Sequence, residues 1–235
     1  MLERVKGIFQ TESKEMPRHV AITTSGIELW SIENGKSLEE ANRRSFANIL
    51  MVLEEQIRLN IAYVTIFLMR EDMDKEGSHF KVLVDSIEQF FAELKNDDRI
   101  HANRAKVSII GKWYNLPSRL VDPIKEVVEA TRDYERFYLN FCINYDGQEE
   151  ITDACRLIAR QIISGKIQPE SITKSYFKES LYSSNFPPVD LIIKNGKKHA
   201  TRGILLWDSS EARIHFSNKL WPDFTKNDFE RAVEG

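Results

Sequence analysis

The sequence is poor in three features that mark particular classes of protein: long hydrophobic runs, cysteine and excess positive charge. None of its apolar runs approaches the ~18 residues needed to span a bilayer. A formal net charge of −3 argues against general nucleic-acid binding, which requires a strong basic excess. The two cysteines, Cys142 and Cys155, lie outside any CxxC or His-rich pattern, so we expect buried thiols in a reducing compartment. These absences predict a cytoplasmic protein, with peripheral membrane contact as an open alternative.

What remains is the composition of a globular protein with one core. The chain has 235 residues, of which 42% are hydrophobic and 29% charged. Residues 1–16 carry apolar side chains at helical spacing, which predicts a short amphipathic helix at the N-terminus. The apolar positions of this helix are Leu2, Val5, Ile8 and Phe9. Residues 17–235 contain no repeat and no Pro/Gly/Ser linker, which predicts a single domain.

Strand-length apolar segments alternate with helical patterns along this domain. Residues 61–68 form a nearly continuous apolar run, typical of a parallel strand covered on both faces. A long helix is predicted for residues 37–60, opened by a capping box from Ser37 to Glu40. The other predicted strands are 19–22, 107–110, 137–144 and 189–193, and the other predicted helices are 80–94, 118–131 and 151–164. This alternation predicts an α/β fold with a mostly parallel central sheet flanked by helices, in which ligands bind beyond the carboxyl ends of the strands.

Five segments, taken in order, resemble the cis-prenyltransferase family. They are residues 19–22 (HVAI) with Gly26 and Trp30, residues 139–151 (LNFCINYDGQEEI), residues 187–193 (PPVDLII), residues 204–207 (ILLW) and residues 220–224 (LWPDF). Members of this family extend an allylic diphosphate with isopentenyl diphosphate units, using Mg²⁺. The resemblance implies a diphosphate site beside the sheet and an apolar tunnel for the growing chain.

Most of the polar residues that the family uses for catalysis are missing here. Ser25 stands where the resemblance places the aspartate that holds Mg²⁺, and a neutral hydroxyl is a poor anchor for a hard cation. Leu29 and Ala200 replace diphosphate-binding arginines, and Arg213 replaces a glutamate. Near residues 69–72 the alignment leaves open whether Glu71 or Asp72 takes the place of a conserved acid, and residues 41–45 lack the family's glycine and histidine. We therefore predict no catalytic residue and no metal ligand in this chain.

A basic segment after the last predicted core strand is the candidate substrate site. Its candidate diphosphate ligands are Lys194, Lys197, Lys198 and Arg202. The alternative is a solvated loop at a site that has lost its function. A second candidate surface is a dimer interface in the C-terminal third, with aromatic and aliphatic anchors. The predicted interface residues are Trp207, Ile214, Phe216 and Trp221.

These features predict a non-catalytic or weakly active subunit of a heteromeric cis-prenyltransferase that makes long polyprenyl diphosphates for glycosyl carrier lipids. Its expected partner is a catalytic subunit whose own active site binds Mg²⁺, and prenyl diphosphate is a second candidate ligand. One alternative is an active but divergent cis-prenyltransferase that condenses isopentenyl diphosphate with an allylic diphosphate. Another is a lipid- or protein-binding module without prenyl transfer.

Overall fold

The computed structural model describes residues 15–201 and 203–235. Nearly all of the amphipathic helix predicted for residues 1–16 lies outside these residues, and so does Arg202. In the part of the chain that the structure describes, no helix is long and apolar enough to cross a membrane.

The described residues form six strands and eight α-helices. The strands are β1 (His19–Thr23), β2 (Tyr63–Phe67), β3 (Ala105–Ile110), β4 (Phe137–Cys142), β5 (Leu191–Asn195) and β6 (Arg213–Ser217). The helices are α1 (Ile27–Asn34), α2 (Leu38–Arg58), α3 (Ser78–Leu94), α4 (Asp98–Ala102), α5 (Ser118–Ala130), α6 (Gly147–Ile163), α7 (Lys174–Glu179) and α8 (Lys226–Glu234).

The strands form one sheet in the order β3-β4-β2-β1-β5-β6, and every neighbouring pair is parallel. This confirms the predicted α/β fold with a central parallel sheet. Because all the strands run the same way, their carboxyl ends share one edge of the sheet. The strand order reverses direction beside β1, which is where a parallel sheet opens a crevice for ligands.

The long helix α2 shows how local sequence sets these elements. Ser37 caps it, and its hydroxyl accepts a hydrogen bond from the Glu40 amide at 3.2 Å, as the sequence predicts. Ile49, Val52 and Leu53 lie on its buried face and are fully enclosed in the main core. Amphipathic spacing of this kind positions a helix against a sheet through hydrophobic burial.

A buried polar group joins three central strands. The Nδ1–H of His19 donates to the Pro187 carbonyl at 2.9 Å, and Nε2 lies 2.8 Å from the Thr65 hydroxyl. That hydroxyl also accepts a hydrogen bond from the Asn140 amide at 3.2 Å. Burial lowers the pKa of His19, which favours the neutral ring that these contacts require. His19 therefore has a structural role in the sheet.

A second buried polar cluster holds the segment that follows β5. The Tyr145 hydroxyl and the Ser183 amide donate to the Glu150 carboxyl at 2.6 and 2.9 Å. The Ser183 hydroxyl donates to Asp208, and Lys178 forms an ion pair with Asp208 at 2.6 Å. Burial raises the pKa of Glu150. The cluster fixes residues 204–208 against α6 and α7.

Several boundaries differ from the sequence prediction. Helix α6 begins at Gly147 rather than at residue 151, because Asp146 caps it by accepting hydrogen bonds from Gln148 and Glu149. The structure also contains five elements that the alternation did not indicate: α1, α4, α7, α8 and β6. Of the two cysteines, Cys142 is buried, but Cys155, in the middle of α6, is exposed. The expectation of two buried thiols is therefore wrong for Cys155.

We predict that Gly147→Ala destabilises the protein. A Cβ at this position would lie 2.1 Å from the Gly203 carbonyl oxygen and 2.9 Å from the Leu206 Cβ, so backbone would have to move. The expected loss is on the order of 1–3 kcal/mol, measured as a decrease in the free energy of unfolding in urea. Gly77→Ala is the matched control, because its added Cβ would meet Asp74 rather than a distant segment. Equal stability of the two variants would contradict this close packing.

Candidate diphosphate site

A cavity of about 640 Å³ lies at the carboxyl edge of the sheet, beyond β1, β2 and β5. Among the described residues that line it, four are cationic, seven are large and apolar, and two are acidic. The cationic residues are Arg70, Lys194, Lys197 and Lys198. The apolar residues are Ile27, Leu29, Phe67, Leu68, Met73, Leu83 and Leu220, and the acids are Glu28 and Asp72. The lining therefore combines net positive charge with hydrocarbon surface.

Lys194 is the most enclosed of these cations. It belongs to the end of β5, where its partner in register on β1 is Thr23, and only 1% of its surface is exposed. The Lys194 Nζ donates a hydrogen bond to the Ser25 hydroxyl at 3.0 Å and another to the Asn195 carbonyl. The sequence prediction treated residues 194–202 as one basic loop. The structure instead places Lys194 inside the fold and only the following residues at the surface.

Asn195 is the residue of this site that the sequence analysis missed. Its backbone amide donates to the Thr23 hydroxyl at 3.2 Å, so the chain is fixed at this point. Its side-chain nitrogen and oxygen are both buried, and neither has a hydrogen-bond partner in the structure. Asn195 lines the cavity. A buried amide without partners is rare in proteins, and one beside a cavity is available to a ligand.

The other predicted basic residues differ in position. Lys197 and Lys198 line the cavity from its exposed side, and Lys197 forms an ion pair with Glu33. Gly196 makes the turn between them and Lys194, with φ at +89°. Arg202 lies outside the described residues. The structure thus brings three of the four predicted ligands to one cavity, where Lys194 is buried and Lys197 and Lys198 are exposed.

Helix α1 forms another wall of the cavity. It begins after Gly26, which has a φ of +92°. A Cβ at this position would lie 2.6 Å from the Leu220 side chain, so the two segments are closely packed. The Trp30 indole N–H donates to Asp223 at 2.7 Å and so ties the helix to the turn formed by residues 221–223. A Glu28 carboxylate oxygen lies 2.8 Å from the His79 Nδ1 on α3, and both residues line the cavity. The amino end of α1 therefore faces the cavity, and the N–H groups of a helix start favour anions.

The structure separates the two acids that the sequence left open. Glu71 accepts a hydrogen bond from Lys112 at 3.2 Å, and Lys112 also binds Glu149 and Asp153. Asp72, in contrast, lines the cavity and pairs with Arg70. Of these two acids, only Asp72 is therefore in a position to contact a ligand in this cavity.

The residues present do not fit the Mg²⁺ site that the resemblance implies. Ser25 offers a neutral hydroxyl that is already bonded to the Lys194 ammonium. Within the described residues, no group of three or more His, Cys, Asp or Glu side chains could hold a metal ion. Arg213, at the position of a family glutamate, donates to the Val233 carbonyl at 3.0 Å and so closes the end of α8. Mg²⁺ at a phosphate site is held by one or two carboxylates together with the substrate phosphates, and position 25 supplies no carboxylate.

The predicted interface set requires one correction. Trp221 is fully buried: its indole N–H donates to the Ser45 carbonyl at 3.0 Å, and its ring stacks on Phe224. It completes the core of the chain and has no surface to offer a partner. Ile214 and Phe216 are 41% and 42% exposed on β6, the edge strand. Trp207 is half-buried and packs on Phe177.

A parallel α/β fold with a cavity of cations and hydrocarbon at its carboxyl edge defines a protein that can bind a ligand with an anionic head and an apolar part. Residues 24–235 match the sequence model of the family described as putative undecaprenyl diphosphate synthase. The chain belongs to this family, the cis-prenyltransferases, as its motifs indicated.

Curated relatives agree with this assignment. One is named tritrans,polycis-undecaprenyl-diphosphate synthase (geranylgeranyl-diphosphate specific), from Thermoplasma volcanium; it is 34% identical over 92% of this chain and 84% of its own length. Another is named isoprenyl transferase, from Rickettsia typhi, and is 31% identical over 92% of each chain. Both names describe enzymes that transfer or build isoprenoid units.

A solved structure supports the fold. Lavandulyl diphosphate synthase from Lavandula x intermedia, in complex with dimethylallyl diphosphate, superposes with a TM-score of 0.87. The match covers 93% of this chain and 94% of that one, at 24% sequence identity. At this identity the likeness shows the fold alone.

We predict that only one of two neighbouring acids, Asp72 and Glu71, affects binding in the cavity. Asp72→Asn removes a negative charge from the cavity wall and should tighten binding of inorganic pyrophosphate by about two- to threefold. Glu71→Gln, the matched control, should leave this affinity unchanged, because its carboxylate is held by Lys112. Calorimetric titration at low salt measures both. An equal change in the two variants would contradict the assignment of Asp72, and not Glu71, to the wall of the ligand site.

Proposed function

We propose that this chain is a divergent cis-prenyltransferase that binds an isoprenoid diphosphate in the cavity and condenses it with isopentenyl diphosphate. One observation carries the proposal: the same cavity is lined by four cations and seven large apolar side chains. A prenyl diphosphate is an amphiphile with these two complements, a diphosphate head and a hydrocarbon tail. Each buried methylene of the tail contributes about 0.8 kcal/mol.

The chemistry agrees with the charges. In cis-prenyl transfer, a double-bond carbon of isopentenyl diphosphate bonds to the allylic carbon, the allylic C–O bond breaks, and one proton is lost to solvent or to the released diphosphate. The leaving diphosphate carries about three negative charges, and cations positioned beside it stabilise the transition state. Lys194, Lys197 and Lys198 are the candidates for this role here. The synthase and transferase names of the relatives support catalysis by this chain itself.

A second candidate function is a non-catalytic subunit of a heteromeric cis-prenyltransferase that makes polyprenyl diphosphate for glycosyl carrier lipids. The specific observation in its favour is the hydrogen bond between Lys194 and Ser25. The motif resemblance places the family's metal-binding aspartate at position 25, where this chain has the serine. Such a subunit would act through a catalytic partner that binds Mg²⁺ in its own site.

An incorporation assay separates the two candidates. With isopentenyl diphosphate and geranylgeranyl diphosphate, we expect the purified chain to form a longer polyprenyl diphosphate. Lys194→Met should lower the rate about tenfold or more, because the variant loses the buried charge beside the leaving group. Lys166→Met, which removes an exposed lysine outside the cavity, is the control.

Two other results would each be informative. Product that forms only after addition of a family member with a complete metal site would support the second candidate. The absence of product in both reactions, with no binding of geranylgeranyl diphosphate, would contradict both functions and favour a module without prenyl transfer.

We also propose that the exposed face of β6 binds a second cis-prenyltransferase chain. Ile214 and Phe216 point outward from an edge strand, Leu206 is 40% exposed, and the ring of Phe216 packs on His199 at 4.8 Å. Exposed aromatic and aliphatic side chains without a covering element are typical anchors of a specific interface.

We predict that Phe216→Asp prevents this association and leaves the fold intact, because the side chain is 42% exposed. Sedimentation velocity of the chain, alone and mixed with a complete family member, measures assembly, and thermal unfolding checks the fold. Ile163→Asp is the matched control, since Ile163 is 86% exposed at the end of α6. Association that survives Phe216→Asp would contradict the assignment of this surface.

A further inference from the structure

We propose that the Lys194 ammonium takes the place of a divalent metal ion, so that this chain binds diphosphate without Mg²⁺. The inference rests on the proposed function, because it concerns the same cavity and the same ligand. It goes beyond that function by naming which group supplies the positive charge.

The first argument is position. The Nζ of Lys194 lies 3.0 Å from the hydroxyl of Ser25, within the cavity wall. A divalent cation bound to that hydroxyl would be almost in contact with a second positive charge, and such like-charge pairs are strongly disfavoured. The ammonium and the metal ion therefore exclude each other at this position.

The second argument is fixation. Lys194 is 1% exposed, and its ammonium donates to the Asn195 carbonyl as well as to Ser25. Its backbone is held in the sheet by the pairing of β5 with β1 and β6. A charge that is fixed before the ligand arrives needs no reorganisation on binding, and it acts more strongly at a buried site than in water.

The third argument comes from the neighbouring side chain and is independent of charge. Asn195 is fully buried, lines the cavity, and has no hydrogen-bond partner for its side-chain nitrogen or oxygen. A diphosphate oxygen beside Lys194 would accept the hydrogen bond that this nitrogen offers. The start of α1 faces the same cavity with its backbone N–H groups. Three kinds of donor thus line the same cavity, and none requires a metal.

The two exposed lysines, Lys197 and Lys198, are less suited than Lys194 to replace a metal ion. Lys197 forms an ion pair with Glu33, and its side chain is 60% exposed. Lys198 is also exposed at the cavity edge. Exposed cations are screened by salt and contribute mainly to the encounter with the ligand. We therefore assign the metal-like role to Lys194 alone.

Calorimetric titration of the full chain with inorganic pyrophosphate tests the proposal. We expect the affinity in EDTA to equal or exceed the affinity in Mg²⁺. Lys194→Met keeps the aliphatic stem and should weaken binding in EDTA at least about tenfold, whereas Lys166→Met should not. An affinity that falls tenfold or more when Mg²⁺ is removed would overturn the proposal, and so would unchanged binding by Lys194→Met.

Two further variants exchange the charges. Ser25→Asp places a carboxylate against the ammonium, so it should weaken pyrophosphate binding in EDTA without unfolding the chain. In Ser25→Asp with Lys194→Met, a carboxylate and a bound diphosphate could hold Mg²⁺ together, so binding should now require the metal. Thermal unfolding verifies that each variant is folded. Metal-dependent binding by Ser25→Asp with Lys194 still present would count against mutual exclusion of the two cations.

The outcomes also separate this inference from the proposed function. Pyrophosphate and geranylgeranyl diphosphate that bind only with Mg²⁺ would overturn the inference and leave the proposed function standing. The absence of binding by either ligand, with or without Mg²⁺, would overturn both.

Discussion

Parallel pairing of β1 with β5 is the constraint on which the candidate site depends. The register places Thr23 beside Lys194, so the two strands end together and the segments that follow them meet. Ser25 then lies against Lys194, and the Thr23 hydroxyl receives the amide of Asn195. The turn formed by residues 221–223 packs against this end of β1, since the Trp221 amide donates a hydrogen bond to the Ser25 carbonyl at 2.9 Å. A shift of one residue in this register would reverse the side chains of β5 and remove the buried ammonium from the cavity.

Polar contacts at the amino ends of the strands, on the side away from the site, help to maintain this register. Asp190 accepts hydrogen bonds from the amides of Arg18 and His19, both at 2.8 Å, and so joins the starts of β5 and β1. The His19 ring continues this connection to Thr65 on β2. His19 and Thr65 are buried, and a buried polar group without its partner costs about 1–3 kcal/mol, so alternative registers are penalised more than they would be in an all-apolar sheet.

Most of the fold could be predicted from the sequence, because long amphipathic helices and apolar strands carry strong periodic signals. The elements that were missed lack such signals. Helix α1 is short and begins at a glycine without a capping side chain, and β6 alternates only weakly between exposed and half-buried residues. The sequence also identified Lys194 as a candidate ligand but could not show its burial, which follows from strand pairing. Trp221 was misassigned for a related reason: an aromatic side chain serves a core or an interface equally well, and only packing decides between them.

A built-in cation and a bound metal ion have different consequences for a diphosphate site. Mg²⁺ can leave together with the product diphosphate, whereas a lysine in a strand remains behind. In the proposed site, release must therefore depend on how well the fixed charge is balanced without ligand, and the Ser25 hydroxyl and the Asn195 carbonyl already provide part of that balance. Lysine is also a point charge without the bidentate fork of arginine, so it attracts diphosphate without fixing its orientation. In the proposed site, orientation would have to come from the Asn195 amide and from the apolar wall, so that shape, more than charge, would select the substrate.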